Sequence, residues 1–469
     1  MRRTTLYGAI AAAAVLAGTA ALRRPAPKAA GAKRLPVMSL ADTLAVLAEV
    51  LAPNIAKGVI KRRERVVGIA ERTELDTRAI RRVKRLRDTY GPGPVLLRVP
   101  VRNQAVILDP AEAWRVLDET PAAFTTASSE KVAALRHFEP HGALISTGAE
   151  RAERRRFNEA VLEMDCPVHS LADSFARVAR EEADTLLAAA GGDGEFGWDD
   201  FAPAWFRVVR RVVFGDGARD DEELREMVDS LREDGNWAMF KPRDTALREA
   251  FFARLRHHLA RAEAGSLAAR VAAEPKDERT APEHQIPQWL FAFDPAGMTT
   301  YRALALLAAH PEQRARARAE AGAASGEAGL PFLRAAMLEA LRLWPTTPLI
   351  LRQSCAETRW ATGVLPEGAG VLIYAPFFHR DADHLPFAHR FAPEIWAEDP
   401  PVKGWPLVPF SGGPAVCPGQ HVVLMVGSLF MARLLAAGDI ALCDPARLPP
   451  GALPGTCDHY TMRLRLVRG

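Results

Sequence analysis

The chain has 469 residues, of which 48% are hydrophobic and 25% charged, with a formal net charge of +4. These values are ordinary for a globular protein and exclude disordered and collagen-like chains. The five cysteines are odd in number and never occur as C-x-x-C, so they indicate neither a zinc finger nor a disulfide framework.

The N-terminus carries an uncharged, Ala-rich run over residues 6–22, flanked by Arg2-Arg3 and Arg23-Arg24. At about 1.5 Å per residue this run is barely long enough to cross a bilayer. The heavier positive charge that follows it would keep the body of the protein in the cytoplasm. We therefore expect residues 1–30 to form a membrane anchor with a Pro-containing hinge. A cleaved secretory signal and an interfacial or disordered tail stay open as alternatives.

Positive charge is concentrated at the beginning of the chain. The first hundred residues hold about 20 Lys and Arg against about 7 Asp and Glu. Such a surface suits anionic lipid or an acidic protein partner, and a solvated basic helix face explains it equally well. No recognition motif for nucleic acid accompanies the charge, so we expect no nucleic-acid partner.

Helical periodicity dominates the rest of the sequence, with short strand patterns near both ends. Helices are predicted over residues 77–87, 151–164, 171–189, 221–234, 244–262 and 332–342. Strands are predicted over residues 95–99, 104–108, 349–352, 370–374 and 460–466. The predicted fold class is mainly α with a minor β portion. A basic helical extension over residues 31–76 precedes one large domain over residues 77–469.

One cysteine stands in a distinctive loop. Residues 409–420 read Pro-Phe-Ser-Gly-Gly-Pro-Ala-Val-Cys-Pro-Gly-Gln, and an apolar helical stretch follows over residues 421–436. Glycines at 412, 413 and 419 would let the backbone approach a flat ligand. The N-terminal end of a helix favours a thiolate over a thiol. Taken alone, however, the pattern justifies only a tight turn with a buried thiol at Cys417.

The pattern Phe410-x-x-Gly413-x-x-x-Cys417-x-Gly419 resembles the haem-binding loop of the cytochrome P450 family. Companion motifs occur in the family's order. Glu339-Ala-Leu-Arg342 matches the E-x-x-R pair, and residues 348–352 resemble the strand that carries a propionate-binding arginine, here Arg352. The resemblance covers roughly residues 77–469, and the chain is identified as a member of the family, of bacterial type.

The resemblance implies the cytochrome P450 fold, a haem b cofactor and Cys417 as the axial ligand of its iron. It also implies a monooxygenase that inserts one atom of O₂ into an apolar small molecule. Electrons would come from a ferredoxin or a flavoprotein reductase, because the sequence contains no flavin or iron–sulfur segment. Residues 226–245, with Trp237, Met239 and Phe240, would cover the substrate pocket.

Two departures from the family pattern concern charge. Ala415 stands where the family usually has a basic residue, and we expect Arg151, Arg155 and Arg352 to share the binding of the haem propionates. The family's Pro-Glu-Arg segment ends in Ile395 here. Either Arg390 replaces the missing arginine beside the E-x-x-R pair, or the pair stands alone.

A third departure lies in the oxygen-activating helix. In the favoured register Asp294 occupies the acid position and Pro295 replaces the usual threonine, so Asp294 with ordered water would move protons. The rival register places Thr299 and Thr300 on the motif. Two other functions stay open: a haem-thiolate enzyme that uses peroxide or rearranges its substrate, and a haem-binding sensor or sequestrant without turnover.

Overall fold

The computed structural model describes residues 33–99, 102–190, 194–238, 240–323 and 329–467. The predicted anchor in residues 1–30 lies outside them. Helices form most of this part of the chain, as the sequence predicts. They are α1 Leu40–Val46, α2 Ala52–Ala56, α3 Glu64–Arg72, α4 Leu75–Tyr90, α5 Pro110–Asp118, α6 Ser129–Leu135, α7 Gly148–Val161, α8 Ala172–Ala189, α9 Trp198–Phe214, α10 Glu222–Gly235, α11 Thr245–Arg261, α12 Leu267–Ala273, α13 Ile286–Ala309, α14 Pro311–Ala323, α15 Pro331–Leu343, α16 Ala375–His379 and α17 Gln420–Ala437.

The strands form three small sheets beside the helices. They are β1 Val95–Leu96, β2 Gln104–Val106, β3 Phe124–Thr125, β4 Glu195–Gly197, β5 Leu349–Ser354, β6 Thr358–Trp360, β7 Gly363–Leu365, β8 Gly370–Tyr374, β9 Asp439–Leu442 and β10 Arg463–Val467. The largest sheet has the order β1-β2-β8-β5-β3, in which only β2 and β8 run parallel. Strand β10 lies between β4 and β9, and β6 pairs with β7.

Sequence periodicity located the long helices well and the strands unevenly: the predicted strand over residues 370–374 has the bounds of β8, and the one over residues 349–352 lies within β5. Helix α8 begins and ends within one residue of its predicted bounds, because its apolar face repeats over five turns. The predicted strand over residues 95–99 is paired only at Val95–Leu96. Strand β4 was not predicted, because three residues carry too little alternation to indicate a strand; its pairing with β10 defines it.

The basic N-terminal extension packs against the rest of the protein. Leu35 and Met38 are buried in the same apolar cluster as the largest sheet. The backbone of Met38 donates to the carbonyl of Leu96, and Leu96 in turn donates to Pro36. Residues 33–76 are thus tied to strand β1 by hydrogen bonds and by apolar burial, and the positive charges on their outer side remain at the surface.

Helix α13 crosses the centre of the helical core and contains a proline. Pro295 has no N–H to donate to the carbonyl four residues before it, so the helix lacks one backbone hydrogen bond at this point. The indole of Trp205 donates to the carbonyl of Phe293 at 2.8 Å. A Cβ atom at Gly297 would lie 2.6 Å from the same indole. The absence of a side chain at Gly297 therefore lets helix α9 pack closely against this part of α13.

The E-x-x-R pair is fully buried and holds the segment that precedes the cysteine loop. Glu339 and Arg342 form a two-point ion pair at 2.6 and 2.8 Å, and neither side chain has any exposed surface. The Arg342 guanidinium also donates to the carbonyls of His379, Ala388 and Arg390. A buried ion pair stabilises a folded protein only when its remaining donors and acceptors are also hydrogen-bonded. Here the carbonyls that accept from Arg342 belong to residues 379–390, so these hydrogen bonds fix the path of that segment.

A tryptophan replaces the arginine that the family has beside this pair. The Trp396 indole donates to Glu339 Oε1 at 2.9 Å, and the Ala392 amide donates to Oε2 at 2.9 Å. The side chain of Arg390 turns away and donates to the carbonyl of Pro386. The expectation that Arg390 completes the pair is therefore wrong, because two neutral N–H donors already satisfy the carboxylate.

We predict that Trp396→Phe lowers the free energy of unfolding more than Trp405→Phe does. Trp396 donates to a carboxylate, and hydrogen bonds to charged groups contribute about 1.5–3 kcal/mol against about 0.5–1.5 kcal/mol for neutral ones. Trp405, which is also half-buried, donates to the neutral carbonyl of Phe378. Urea denaturation at equal cofactor saturation compares the two variants, and equal losses would contradict the role given to Trp396.

Candidate cofactor and active site

The Cys417 loop is a compact turn at the N-terminal end of helix α17. A 3₁₀ turn spans Gly413–Ala415, and the amide of Cys417 donates to the carbonyl of Phe410 at 3.0 Å. Burial raises the pKa of the Cys417 thiol, while the amide of Gly419 and the positive charge of Arg155 act in the opposite direction. The loop therefore provides groups that favour a thiolate once a cation shares the site.

No group of three or more His, Cys, Asp or Glu side chains within the described residues could hold a metal ion. An iron bound at Cys417 would accordingly need its other ligands from a cofactor. This fits a haem, in which the macrocycle supplies four of them.

The glycines of the loop let it pack closely against helix α5. Gly413 has φ +62°, and a Cβ atom there would lie 2.3 Å from the carbonyl oxygen of Leu117. At Gly412 a Cβ atom would lie 2.9 Å from the Trp114 ring. At Gly419 the nearest group to a Cβ atom would be the side chain of Leu162, at 3.6 Å. The approach of these glycines to a flat ligand stays a prediction.

Arg155 joins helix α7 to the cysteine loop. Its guanidinium donates to the carbonyl of Val416 at 2.7 Å and to Glu159 at 2.5 Å. The remaining donor contacts the sulfur of Met164. The charge of Arg155 is already paired with Glu159. Its hydrogen bond to Val416, the residue before Cys417, therefore connects helix α7 to the loop.

Arg352 lies on strand β5 beside the loop and has no carboxylate partner in the part of the chain that the structure describes. Its side chain is 3% exposed and donates to the hydroxyls of Thr120 and Ser411 at 3.2 and 3.0 Å. Burial and the nearby charge of Arg151 lower the pKa of Arg352 to about 10. A guanidinium buried with only hydroxyl and carbonyl acceptors is an incomplete ion pair.

Two further cations surround Arg352. Arg151 makes no side-chain hydrogen bond or ion pair among the described residues, and burial and the charge of Arg155 lower its pKa. Lys131 donates to the carbonyl of Leu351, and burial together with the charge of Arg352 lowers the pKa of Lys131 to about 7. Lys131 was not predicted from the sequence, because no motif marks a position that is brought in from another helix. We call Arg352, Arg151 and Lys131 the first cation cluster; an anionic group bound among them would balance their charge.

The carboxylate of Asp294 forms an ion pair with Arg232. It accepts a hydrogen bond at 2.5 Å from Arg232, which also pairs with Asp229 on helix α10. Thr299 and Thr300 donate to the carbonyls four residues earlier in helix α13, at 2.7 and 2.9 Å. The two threonine hydroxyls are thus used inside the helix, whereas Asp294 links α13 to α10.

Residues 226–245 lie over this part of the protein and extend to the surface. Trp237 is 44% exposed and Phe240 61% exposed, while Met239 lies outside the described residues. The ring of Trp237 is covered on one side by the guanidinium of Arg63. Arg232, from the same segment, reaches Asp294 and so brings helix α10 against α13.

Comparisons with known proteins agree on one family. The family model for cytochrome P450 matches residues 290–449, which include the E-x-x-R pair and the Cys417 loop. Cytochrome P450 monooxygenase milC from Cordyceps militaris is 32% identical over 201 residues, and cytochrome P450 52A10 from Candida maltosa is 33% identical over 146 residues. Cytochrome P450 78A1 from Zea mays is 34% identical over 172 residues.

The sequence matches are partial and the structural match is broad. The aligned segments cover 37%, 28% and 33% of this chain and 37%, 27% and 31% of those relatives, or about a third of their length. A solved structure described as retinoic acid bound cyanobacterial CYP120A1 matches with a TM-score of 0.67, at 19% identity, over 82% of this chain and 94% of that one. The Cys417 loop and the buried E-x-x-R pair lie within the segment that matches the cytochrome P450 family model, and the chain shares the cytochrome P450 fold.

Proposed function

We propose that this protein is a haem-dependent monooxygenase that acts on an apolar small molecule. The observation that carries the proposal is the position of the Cys417 loop beside three cations that lack a carboxylate. A haem b group would satisfy both, because it offers an iron to the thiolate and two propionates to the cations. Bound there, it supplies a thiolate-ligated iron at which O₂ is activated. With two electrons from a ferredoxin or flavoprotein reductase and two protons, one oxygen atom of O₂ would enter a C–H or C=C bond of the substrate, and the other would leave as water.

Each residue of the site has a role in this proposal. Cys417 holds the iron, and Arg151, Arg352 and Lys131 bind the propionates through charge-assisted hydrogen bonds. Arg155, already paired with Glu159, supports the cofactor indirectly by holding the carbonyl of Val416 next to Cys417. The remaining loop residues shape the cofactor-facing surface; they are Phe410, Gly413 and Gly419.

Asp294 is our proposed proton-handling group. The ion pair with Arg232 holds the Asp294 carboxylate next to Pro295, where helix α13 lacks one backbone hydrogen bond. Transfer of a proton through Asp294 requires that the carboxylate loosen its contact with Arg232, so movement of helix α10 would accompany it. The hydroxyls of Thr299 and Thr300 are engaged within the helix and are the weaker candidates.

The proline also favours a second candidate function. The family's threonine is replaced by Pro295 in the favoured register, and a proline has neither a hydroxyl nor an N–H. An enzyme without that relay could use peroxide or rearrange an already oxidised substrate. Turnover driven by a ferredoxin or flavoprotein reductase, compared with turnover driven by peroxide, separates the two functions.

We also propose that the protein works at a membrane surface on the cytoplasmic side. Support comes from the exposed apolar side chains of Val59, Trp237 and Phe240, which neighbour one another because Asn236 bonds the backbone of Ile60. The helix with the length and composition to cross a bilayer among the described residues is α17, and 67% of it is buried in the core. Residues 1–30 would supply the anchor, residues 31–76 the basic extension, and residues 77–469 the haem-binding domain.

Replacing Cys417 by alanine should abolish the far-shifted absorption band that reduced, carbon monoxide-treated protein gives with a thiolate ligand. Cys457→Ala is the control, since its buried thiol lies outside the loop. The absorption spectrum of each reduced sample with carbon monoxide is the measurement. Persistence of the band in the Cys417 variant would overturn the assignment of the iron ligand.

Arg151→Gln should weaken haem binding about tenfold or more, since a charge-assisted hydrogen bond contributes about 1.5–3 kcal/mol. Arg156→Gln is a matched control on the same helix, because Arg156 is more exposed and paired with Glu153 and Glu274. Transfer of haem to an apo-globin trap measures retention in both. Equal retention would place Arg151 outside the cofactor site.

Asp294→Asn should slow reductase-driven turnover by about 10²–10⁴-fold, the usual contribution of a general acid or base, while substrate binding persists. Thr299→Val and Thr300→Val should have mild effects. Product formation and NAD(P)H consumption are measured together with any substrate that shifts the haem absorbance. A threonine variant that diverts oxygen into peroxide, with Asp294→Asn unaffected, would favour the rival register of the helix.

A further inference from the structure

A second group of buried cations lines a cavity away from the cysteine loop. The cavity has a volume of about 50 Å³ and lies where helix α13 meets the turn after α15, the N-terminal extension and the C-terminal loop. A single water needs about 10–15 Å³ on the same measure, so the cavity has room for a small polar group. Its polar lining includes Lys57, Arg62, Asp76, Arg302, Thr346 and His459.

Part of this charge is neutralised internally. Lys57 forms an ion pair with Asp76 at 2.6 Å, with both side chains largely buried. The second oxygen of Asp76 accepts a hydrogen bond from the hydroxyl of Thr456 at 2.6 Å. Asp76 is therefore fully occupied by Lys57 and Thr456, and it does not pair with the two arginines of the cavity.

Those arginines have no carboxylate within ion-pair distance among the described residues. Arg62 donates to the carbonyls of Gly58 and Thr346, at 2.7 and 2.5 Å. Arg302, which is 9% exposed, donates to the carbonyls of Trp344 and Cys457, and its Nε atom has no hydrogen-bond partner. Burial and the charge of Arg302 lower the pKa of Arg62. Two like charges near each other in a buried site favour an anion between them.

His459 adds a neutral donor to the same cavity. Burial and the charges of Arg302 and Arg62 hold the pKa of His459 well below its usual range. Its Nδ1 atom lies 3.2 Å from a donor of Arg302 and therefore acts as the acceptor, which leaves the proton on Nε2. The Nε2 atom is buried and has no partner. An oxygen of a bound anion would satisfy it.

The cavity is separate from the first cation cluster and adjoins the proposed reaction site. The residues that line the cavity include none of Arg151, Arg352 and Lys131. Met298 lines the cavity and lies about one helical turn after Asp294 on α13. With the haem propionates held by the first cluster, Arg62 and Arg302 would still lack a carboxylate within ion-pair distance among the described residues, although the more distant charges of Asp76 and Asp294 act on Arg62.

We propose that Arg62, Arg302 and His459 bind the carboxylate of the substrate, so that this enzyme acts on organic acids with an apolar body. The proposal rests on the monooxygenase function proposed above and names its substrate class. The carboxylate would be anchored at one end of helix α13 while the apolar part extends towards Asp294. No bond is formed or broken in this step, which positions the substrate only.

The test uses the full-length, haem-loaded protein and two matched series of probes. Straight-chain carboxylic acids from hexanoic to hexadecanoic acid, together with aryl-substituted acetic acids, are compared with their methyl esters by calorimetry and by the haem absorbance shift. We expect at least one acid to bind about tenfold or more tightly than its ester, as one charge-assisted hydrogen bond predicts. This advantage should disappear in Arg62→Gln and in Arg302→Gln.

Two control variants distinguish a loss of acid binding from a general loss of folding. Arg65→Gln removes an exposed arginine from the same segment and should retain the preference for the acid. Arg62→Lys keeps the charge and should retain part of it. Acids and esters that bind alike, or a preference that survives in both glutamine variants, would overturn the proposal. Binding of inorganic phosphate in the cavity, without a preference for any acid, would also overturn it.

The outcome is distinguishable from failure of the proposed function. If the wild-type protein lacks the thiolate band with carbon monoxide, the monooxygenase proposal fails, while calorimetry still reports whether the cavity prefers acids. If the band is present in the wild type and in both variants, any loss of acid binding belongs to the cavity alone.

Discussion

The proposed cofactor site depends on one electrostatic feature: the buried positive charge of Arg352 has no carboxylate beside it among the described residues. This guanidinium is buried on a central strand, its acceptors are two hydroxyls and a carbonyl, and Arg151 and Lys131 add charge of the same sign. Burying like charges without a counter-ion costs several kcal/mol per ion. A ligand that brings negative charge would stabilise the arrangement, and the proposed dianionic cofactor at Cys417 would do so.

The E-x-x-R pair shows how the same chain treats a buried arginine that needs no ligand. Arg342 donates to a carboxylate at two points and to four backbone carbonyls, so its charge is neutralised within the protein. Arg352 lies nearby in the chain and is equally buried, yet it has none of this compensation. The contrast distinguishes buried arginines whose charge is neutralised by a carboxylate of the protein from buried arginines whose charge is not. By this criterion Arg62 and Arg302 belong to the second group.

Helical periodicity in the sequence was sufficient for the mainly α fold class and the long helices. These features depend on residues close together in the chain, so periodicity reveals them. Lys131, the replacement of an arginine by Trp396, and the pairing of Asp294 with Arg232 could not be predicted, because each joins positions from separate elements. The close packing of Gly413 against Leu117 was not predicted either, because Leu117 lies nearly three hundred residues earlier.

The central claim is that Cys417 and the first cation cluster belong to one haem site, and a crystal structure of the haem-loaded protein tests it most directly. The claim predicts a bond between the iron and the Cys417 sulfur, with the propionates within hydrogen-bond distance of Arg352, Arg151 and Lys131. An iron held by another residue, or propionates directed away from these three cations, would contradict it.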